Sequence, residues 1–455
     1  MVVVPGERVR VRGSAKVTYL LVLANTLIYL YTSYPYMFLQ STEESVYSLG
    51  FIPALLFTNP IQGVVRVFTS MFTHADIFHI FFNMYFLWLF GKSVEGYLGS
   101  RKYLSLYMLS GIAATLFYVA IIPVGGYDSL VIPAIGASGA ISGVLGSYLL
   151  LFPHTRLIWC MFFLFLPYCI PVPASLFLVV WFAEQVIYGY ARLGGVAFFA
   201  HVGGFIAGIA MTYLIARRAS RQYAYWAFSS LYDWYRSIGV IFTGRRGLGK
   251  ITKAVLIIFL VAVAAGFAYS LYTLTSEPPL TYIMRAQASS GTATASDTVS
   301  LVVYRDGGVE ISYSPVDVVR ILLGRMQPYI YNPSLSGESL VIDATYSVTI
   351  RGLTVPVELH ANASYDSSGV ILYGSGWMNT RVVNIRVSSL GESAVLGNPI
   401  TINFELHSER LRMETALSLG GIASLALTIL AIISVKKADE VSAFTEEYTY
   451  IPPLL

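Results

Sequence analysis

The chain has 455 residues, of which 56% are hydrophobic and only 12% are charged. Soluble domains usually contain about a quarter charged residues, so this composition excludes an ordinary soluble protein and favours a membrane protein. The net charge of +4 is too small to indicate a surface for nucleic acid, and we expect no nucleic-acid partner. No spacing of cysteine and histidine predicts a metal site.

The first 16 residues contain four basic side chains and precede an apolar run that no small-residue cleavage site follows. We therefore expect a cytoplasmic N-terminus over 1–16 and a first transmembrane helix over 17–38 rather than a cleaved signal peptide. Further apolar runs, most of them near the length of about 20 residues that a span needs, lie at 77–92, 103–124, 131–152, 157–190, 196–216, 253–275 and 415–435.

The run at 157–190 is interrupted by three prolines in its first half. Proline inside a helix removes a hydrogen bond and clashes with the preceding turn. The second half, 172–190, is therefore predicted to be the transmembrane helix, and the first half a partial helix or an inserted loop.

Basic residues are concentrated in alternate loops, at 92–102, 153–156, 217–252 and after 435. Cytoplasmic loops are enriched in lysine and arginine, so both termini are predicted in the cytoplasm of a cell with this chain in its membrane. The predicted organisation is a six-helix core over 17–217, a basic cytoplasmic linker over 218–252, a seventh helix over 253–275, an extracytoplasmic segment over 276–411, an eighth helix over 412–435 and a cytoplasmic tail over 436–455.

The extracytoplasmic segment differs in character from the rest of the chain. It contains no lysine and alternates apolar with polar residues, as at 309–313 and 357–360. This alternation is typical of half-buried strands, and the Asp-Gly-Gly at 306–308 indicates a hairpin turn. A small all-β domain is predicted, in which His360 and His407 are surface or packing residues.

The fourth predicted helix contains two adjacent rows of small residues spaced by four. One row is Gly139, Gly143 and Ser147, and the other is Ser138, Ser142 and Gly146. Small residues at this spacing let a second helix approach closely. By itself, such a pattern more often indicates packing than catalysis.

The sixth predicted helix has its own ridge at Gly204 and Gly208, and His201 lies three and seven residues before them on the same face. Packing the two ridges together would bring Ser138 to a hydrogen bond of about 3 Å from His201. A neutral hydroxyl attacks poorly until a base takes its proton, so the pair predicts a serine nucleophile with a histidine base.

The predicted topology places these side chains at similar depth. Ser138 lies seven residues, roughly 10 Å, below the outer end of its helix, and His201 lies roughly 8 Å below its own. His79 and Asn83, spaced by four near the outer end of the second helix, share one face. With the backbone N–H of Ser138, they are predicted to stabilise the oxyanion of a tetrahedral intermediate. Polar groups inside a membrane are costly, which favours a functional reason for all four.

Three runs in this core occur in a set order. Residues 74–83 contain two histidines followed by an asparagine, 136–139 read Gly-Ala-Ser-Gly with Gly143 further along, and 200–208 read Ala-His followed by three glycines. In order and spacing they resemble the motifs of the rhomboid family of intramembrane serine proteases. The resemblance covers about residues 15–217, under half of the chain.

The resemblance implies a catalytic dyad of Ser138 and His201, with His79 and Asn83 in the oxyanion site. The glycines that it implies for packing around the site are Gly136, Gly139, Gly143, Gly204 and Gly208. The implied reaction is cleavage of a membrane-protein substrate in its transmembrane segment, near the outer end, through an acyl-enzyme and without a cofactor or metal. Its partners would be such substrates and the lipid bilayer.

The sequence departs from the family pattern at two positions. Val65-Arg66 stands where a Trp-Arg pair is usual, and Ser142 stands where an aromatic residue often stacks on the histidine. The residue that orients His201 is therefore not identifiable from the sequence. The alternative to a protease is a rhomboid-like scaffold that binds membrane proteins without cutting them. A transporter would require repeated halves with charges at the midplane, and no such repeat is evident.

Overall fold

The structure is a computed structural model that describes residues 2–5, 15–163, 166–193, 195–216, 240–245, 247–276, 278–350, 352–388, 391–442 and 445–450. Most of the linker predicted over 218–252, and parts of the predicted N-terminus and C-terminal tail, lie outside these residues. The chain divides into two compact units. The first is Met1–Gly126, Pro133–Ser276 and Glu414–Leu455, and the second is Tyr127–Ile132 and Glu277–Met413.

The helices of seven or more residues in the described part of the chain are numbered in chain order. They are α1 (Lys16–Ser33), α2 (Glu43–Leu49), α3 (Pro60–Thr69), α4 (Ile77–Leu98), α5 (Ser100–Ala120), α6 (Ser138–Leu151), α7 (Ala174–Tyr190), α8 (Phe198–Ala216), α9 (Lys250–Ser276), α10 (Asp317–Ile330) and α11 (Glu414–Lys436). Shorter helical turns occur between them.

Eight apolar helices of the first unit lie where the sequence predicts spans. Six of them, α1 with the turn after it, α4, α5, α8, α9 and α11, are long and apolar enough to cross a membrane, and α6 and α7 are shorter apolar helices. The first unit thus has the fold of a polytopic helical membrane protein. Its centre is α8, which packs against α5, α6, α7 and α11.

The fourth predicted span begins later than the sequence suggests. The apolar run starts at 131, but α6 begins only at Ser138. Gly136, just before it, has a φ of +115°, a left-handed conformation that ends any helical path through this segment. The predicted depth of Ser138, seven residues into its helix, is therefore wrong, because Ser138 is the first residue of the helix.

Residues 156–163 and 166–173 form two paired strands rather than the predicted partial helix or loop. Strand β2 (Arg156–Phe163) pairs with β1 (Val2–Pro5) on one side and β3 (Leu166–Pro173) on the other, both antiparallel. Strand β3 contains the three prolines and is an edge of this sheet, where proline is tolerated. A further strand, β4 (Val240–Arg245), pairs with β12 (Thr445–Tyr450).

The second unit is built on a seven-stranded antiparallel sheet. Its strands are β5 (Leu280–Ser290), β6 (Ala293–Val303), β7 (Val309–Ile311), β8 (Ser339–Ile350), β9 (Leu353–Tyr365), β10 (Ile371–Ser388) and β11 (Gly391–Leu411), in the order β7-β6-β5-β11-β10-β9-β8. The turn predicted at 306–308 joins β6 to β7, with Gly307 at a φ of +84°. Buried and exposed residues alternate along β9, as the sequence predicts.

The second unit is not all-β, because α10 packs against β5, β6 and β10. Its buried residues are Val319, Leu322, Leu323, Arg325, Met326 and Ile330. Five of the six are apolar, and their spacing of three or four residues is that of one helix face. The prediction of an all-β domain was wrong because this helical period lies inside a segment dominated by alternating strands.

Candidate active site

Ser138 and His201 lie in the first turns of two packed helices. Ser138 is the first residue of α6, and His201 is the fourth residue of α8. Their Oγ and Nε2 atoms are 2.7 Å apart, a hydrogen-bond distance. Both side chains are half-buried, so the pair is held by protein on one side and accessible on the other.

This distance depends on a close approach of the α6 and α8 backbones. A Cβ added to Gly204 would overlap the carbonyl oxygen of Gly139, and one added to Gly208 would overlap that of Gly143. Only glycine fits at Gly204 and Gly208, because the neighbour they meet is backbone and cannot move aside like a side chain.

The small residues of α6 also allow a second helix to approach closely. A Cβ on Gly139 would lie 2.7 Å from Cβ of Ala114, and one on Gly143 would overlap Ser110, both on α5. On the α8 side, a Cβ on Gly146 would overlap the carbonyl oxygen of Phe205. α6 is thus held closely between two helices.

His79 lies beside Ser138. Its Nδ1 accepts a hydrogen bond from the Ala75 N–H at 3.4 Å, which leaves the hydrogen of the neutral ring on Nε2. A Cβ on Gly136 would lie 2.7 Å from that Nε2 and 3.6 Å from Ser138 Oγ. The missing side chain of Gly136 therefore leaves room for His79 to reach the space next to Ser138, whereas the sequence suggests only a packing role for this glycine.

Asn83 lies one turn after His79 and is buried. Its Nδ2 donates to the His79 carbonyl oxygen at 2.8 Å, which uses one of the two amide hydrogens. The backbone N–H of Ser138, in the first turn of α6, has no acceptor within its own helix. Asn83 thus shares the α4 face of His79, and one hydrogen of its amide is not used by the bond to the His79 carbonyl.

Sequence reasoning missed the residues that support the site. His74 is fully buried, and its Nε2 accepts from the Ala137 N–H at 3.4 Å, which fixes the residue before the nucleophile. On α7, Gln185 Oε1 lies 2.8 Å from His201 Nδ1, and the Trp181 ring lies at a tilt of 31° to the His201 ring, with centroids 6.1 Å apart. A polar Gln185 in an apolar helix, four residues after a tryptophan, was the available signal.

No group of three or more histidine, cysteine, aspartate or glutamate side chains in the described part of the chain could hold a metal ion.

A family model for the rhomboid domain matches residues 62–218, which include the Ser138 and His201 pair. The chain therefore carries a rhomboid domain. The resemblance predicted from the three motifs is thereby confirmed.

The curated relatives of this rhomboid are similar over part of their length. Rhomboid protein 1, mitochondrial, of Saccharomyces cerevisiae is 33% identical over 172 residues, which are 37% of this chain and 46% of that protein. Presenilin-associated rhomboid-like protein, mitochondrial, of Bos taurus is 35% identical over 22% of this chain and 26% of its own. RHOMBOID-like protein 12, mitochondrial, of Arabidopsis thaliana is 31% identical over 30% of this chain and 42% of its own length. The chain thus spans less than half of each of these relatives.

Proposed function

We propose that this rhomboid is an intramembrane serine endopeptidase with Ser138 as nucleophile and His201 as general base. The observation that carries the proposal is the 2.7 Å separation of Ser138 Oγ and His201 Nε2. A serine hydroxyl needs a base at this distance to become a nucleophile at neutral pH. The pair is a dyad, since the third group on His201 is an amide rather than a carboxylate.

In the proposed reaction, the Ser138 Oγ–H bond breaks as Oγ attacks the substrate carbonyl carbon, and the proton moves to His201 Nε2. The carbonyl electron pair moves onto its oxygen, and the tetrahedral intermediate collapses as Nε2 returns the proton to the leaving amine. Water then hydrolyses the acyl-enzyme by the same steps. The half-exposure of Ser138 and His201 supports entry of this water.

The developing oxyanion would be stabilised by the Ser138 N–H, His79 Nε2–H and the amide of Asn83. Each is a neutral donor that the protein itself supplies, and donors fixed before the substrate binds are often the largest contribution to catalysis. The position of Gly136 between His79 and Ser138 supports this assignment, because no side chain intervenes.

The proposed substrates are membrane proteins, cut in a transmembrane segment near its extracytoplasmic end. The chain would lie in a cell membrane with both termini in the cytoplasm and residues 276–411 outside, as the basic loops suggest. The location of the dyad at the predicted outer ends of α6 and α8 supports a cut near the outer surface.

The second candidate function is a rhomboid-like scaffold that binds membrane proteins without cleaving them. The hydrogen-bonded pair and the adjacent His79 favour the protease, because binding alone requires neither a base nor a donor beside Ser138.

The two functions are separated by labelling the full-length chain in detergent with an alkyl fluorophosphonate. Wild type should react at Ser138, and Ser138→Ala and His201→Ala should lose labelling and cleavage of a model transmembrane substrate by more than about 10³-fold. Ser142→Ala, one turn later on the same helix, is the matched control and should still react. A wild-type chain that neither labels nor cleaves would leave the scaffold as the function.

A further inference from the structure

The side chain of Gln185 is buried in the apolar helix α7, with only 6% of its surface exposed. An amide in this position is costly unless its polar atoms are bonded. Its Oε1 lies 2.8 Å from Nδ1 of His201. We infer that Gln185 is a positioning residue that holds the neutral His201 ring in the one tautomer able to accept the Ser138 proton. The inference rests on the proposed function and extends it.

The two nitrogens of a neutral imidazole differ, because one is a donor and the other an acceptor. An amide oxygen can only accept, so Gln185 Oε1 requires the hydrogen of His201 to be on Nδ1. Nε2 then presents its lone pair to the Ser138 hydroxyl, 2.7 Å away. The reverse amide orientation would put the hydrogen on Nε2, and this tautomer could not take the serine proton.

The same contact persists through the reaction. When Ser138 Oγ–H breaks and the N–H bond forms at Nε2, the Nδ1–H of His201 stays bonded to Gln185, and the ring becomes a cation. The negative end of the amide dipole faces that cation and stabilises it without accepting the proton itself. An uncharged oxygen avoids burying a carboxylate in the membrane, where an unpaired charge is expensive.

Trp181 lies one helical turn before Gln185, so both side chains project from the same face of α7. Its ring lies at 31° to the His201 ring, with centroids 6.1 Å apart. Gln185 thus fixes one ring nitrogen of His201 by a hydrogen bond, and Trp181 limits the rotation of the His201 ring by packing beside it. They supply from α7 the support that Ser142, whose hydroxyl instead donates to the Ser138 carbonyl at 2.7 Å, does not give from α6.

The test compares Gln185→Leu and Gln185→Glu in the full-length chain by the pH dependence of labelling with an alkyl fluorophosphonate. Leucine removes the acceptor, and the labelling rate should fall about 100-fold, the typical cost of a misplaced catalytic group. Glutamate keeps an acceptor and stabilises the protonated ring, so labelling should persist and its acidic limb should move up by about one pH unit. Gln62→Glu, the same change on the exposed side of α3, is the matched control and should alter neither.

A merely structural role would reduce labelling in both variants without moving the acidic limb. Wild-type rates in Gln185→Leu, or an unmoved limb in Gln185→Glu, would overturn the inference.

A second measurement does not depend on activity. In ¹⁵N-histidine NMR, the His201 resonances, assigned by their loss in His201→Ala, should report the Nδ1–H tautomer in wild type and a mixture in Gln185→Leu. If wild type fails to react at Ser138, the proposed function fails while this measurement still decides the role of Gln185. An unchanged tautomer in Gln185→Leu would overturn that role.

Discussion

The two units of this chain pack their elements in different ways. The first unit is called the helical unit here, and the second, Tyr127–Ile132 with Glu277–Met413, is called the sheet unit. In the helical unit, Gly204 and Gly208 bring two backbones into direct contact, so even one added methyl group does not fit. In the sheet unit, α10 packs through large apolar side chains, and its Gly324 has nothing within 4 Å of an added Cβ. Helices in lipid gain little from burying apolar surface and associate by close packing, whereas a sheet in water is held by the hydrophobic effect. The site lies in the unit that tolerates least change.

The largest effect is expected when one glycine in each unit is replaced with alanine. Gly208→Ala should destabilise the helical unit by more than about 3 kcal/mol, the upper range for overpacking, since the atom that it meets is backbone. Gly324 is solvent-exposed and lies in the middle of α10. Gly324→Ala should stabilise the sheet unit by about 0.5–1 kcal/mol, because alanine favours a helix. Thermal unfolding of the full-length chain measures both, and equal effects would contradict the comparison.

Most of the helical unit was predictable because its signals are strong and local. Long apolar runs and basic loops indicate the spans, and the same small residues that allow close packing align Ser138 with His201. The start of α6 was not predictable from hydrophobicity, since residues 131–137 are also apolar. Its position depends on the left-handed Gly136, which hydropathy does not register.

In the sheet unit the alternation of β9 was readable, but α10 was missed because its period had to be separated from that of the neighbouring strands. Within the candidate site, the sequence motifs indicate Ser138 and His201, whereas the residues that contact them are evident only from tertiary contacts. Gln185 is 16 residues from His201 along the chain. No local sequence pattern predicts that the Gln185 side chain of α7 faces α8, so its contact with His201 is evident only from the packed helices.

A second test asks whether the sheet unit and the residues after α11 lie on opposite sides of the membrane, as predicted. After replacing Cys160 and Cys169 with serine, Tyr313→Cys in the sheet unit, 72% exposed, should react with a membrane-impermeant maleimide in intact cells. Lys437→Cys, exposed after α11, should react only after the membrane is made permeable. In intact cells, labelling should therefore be much stronger for Tyr313→Cys than for Lys437→Cys. The reverse pattern would invert the proposed topology.

The third test concerns the dependence of stability on pH. Burial, and secondarily the neighbouring His79, lowers the pKa of His74 to about 3 from its usual 6.5. Between these values the unfolded chain binds a proton that the folded chain does not, so stability falls as pH decreases from 6.5 toward 3, by up to about 1.4 kcal/mol per pH unit. His74→Asn should flatten this slope.

Unfolding midpoints at pH 7, 5 and 4 measure the effect. His407→Asn, exposed on β11, is the matched control for removing a histidine. A slope that is as steep in His74→Asn as in wild type would contradict the assignment to His74.

The late start of α6 has a consequence for the electrostatics of the reaction. The peptide dipoles of a helix sum to roughly half a positive charge at its N-terminus, within the first turn. Because α6 begins at Ser138, the alkoxide and the oxyanion would both form at this positive end, whereas a serine seven residues further along would not feel it. No carboxylate in the described part of the chain contacts His201 Nδ1. The dipole of α6 would therefore supply part of the stabilisation of the negative charge that forms at Ser138 and on the substrate oxygen.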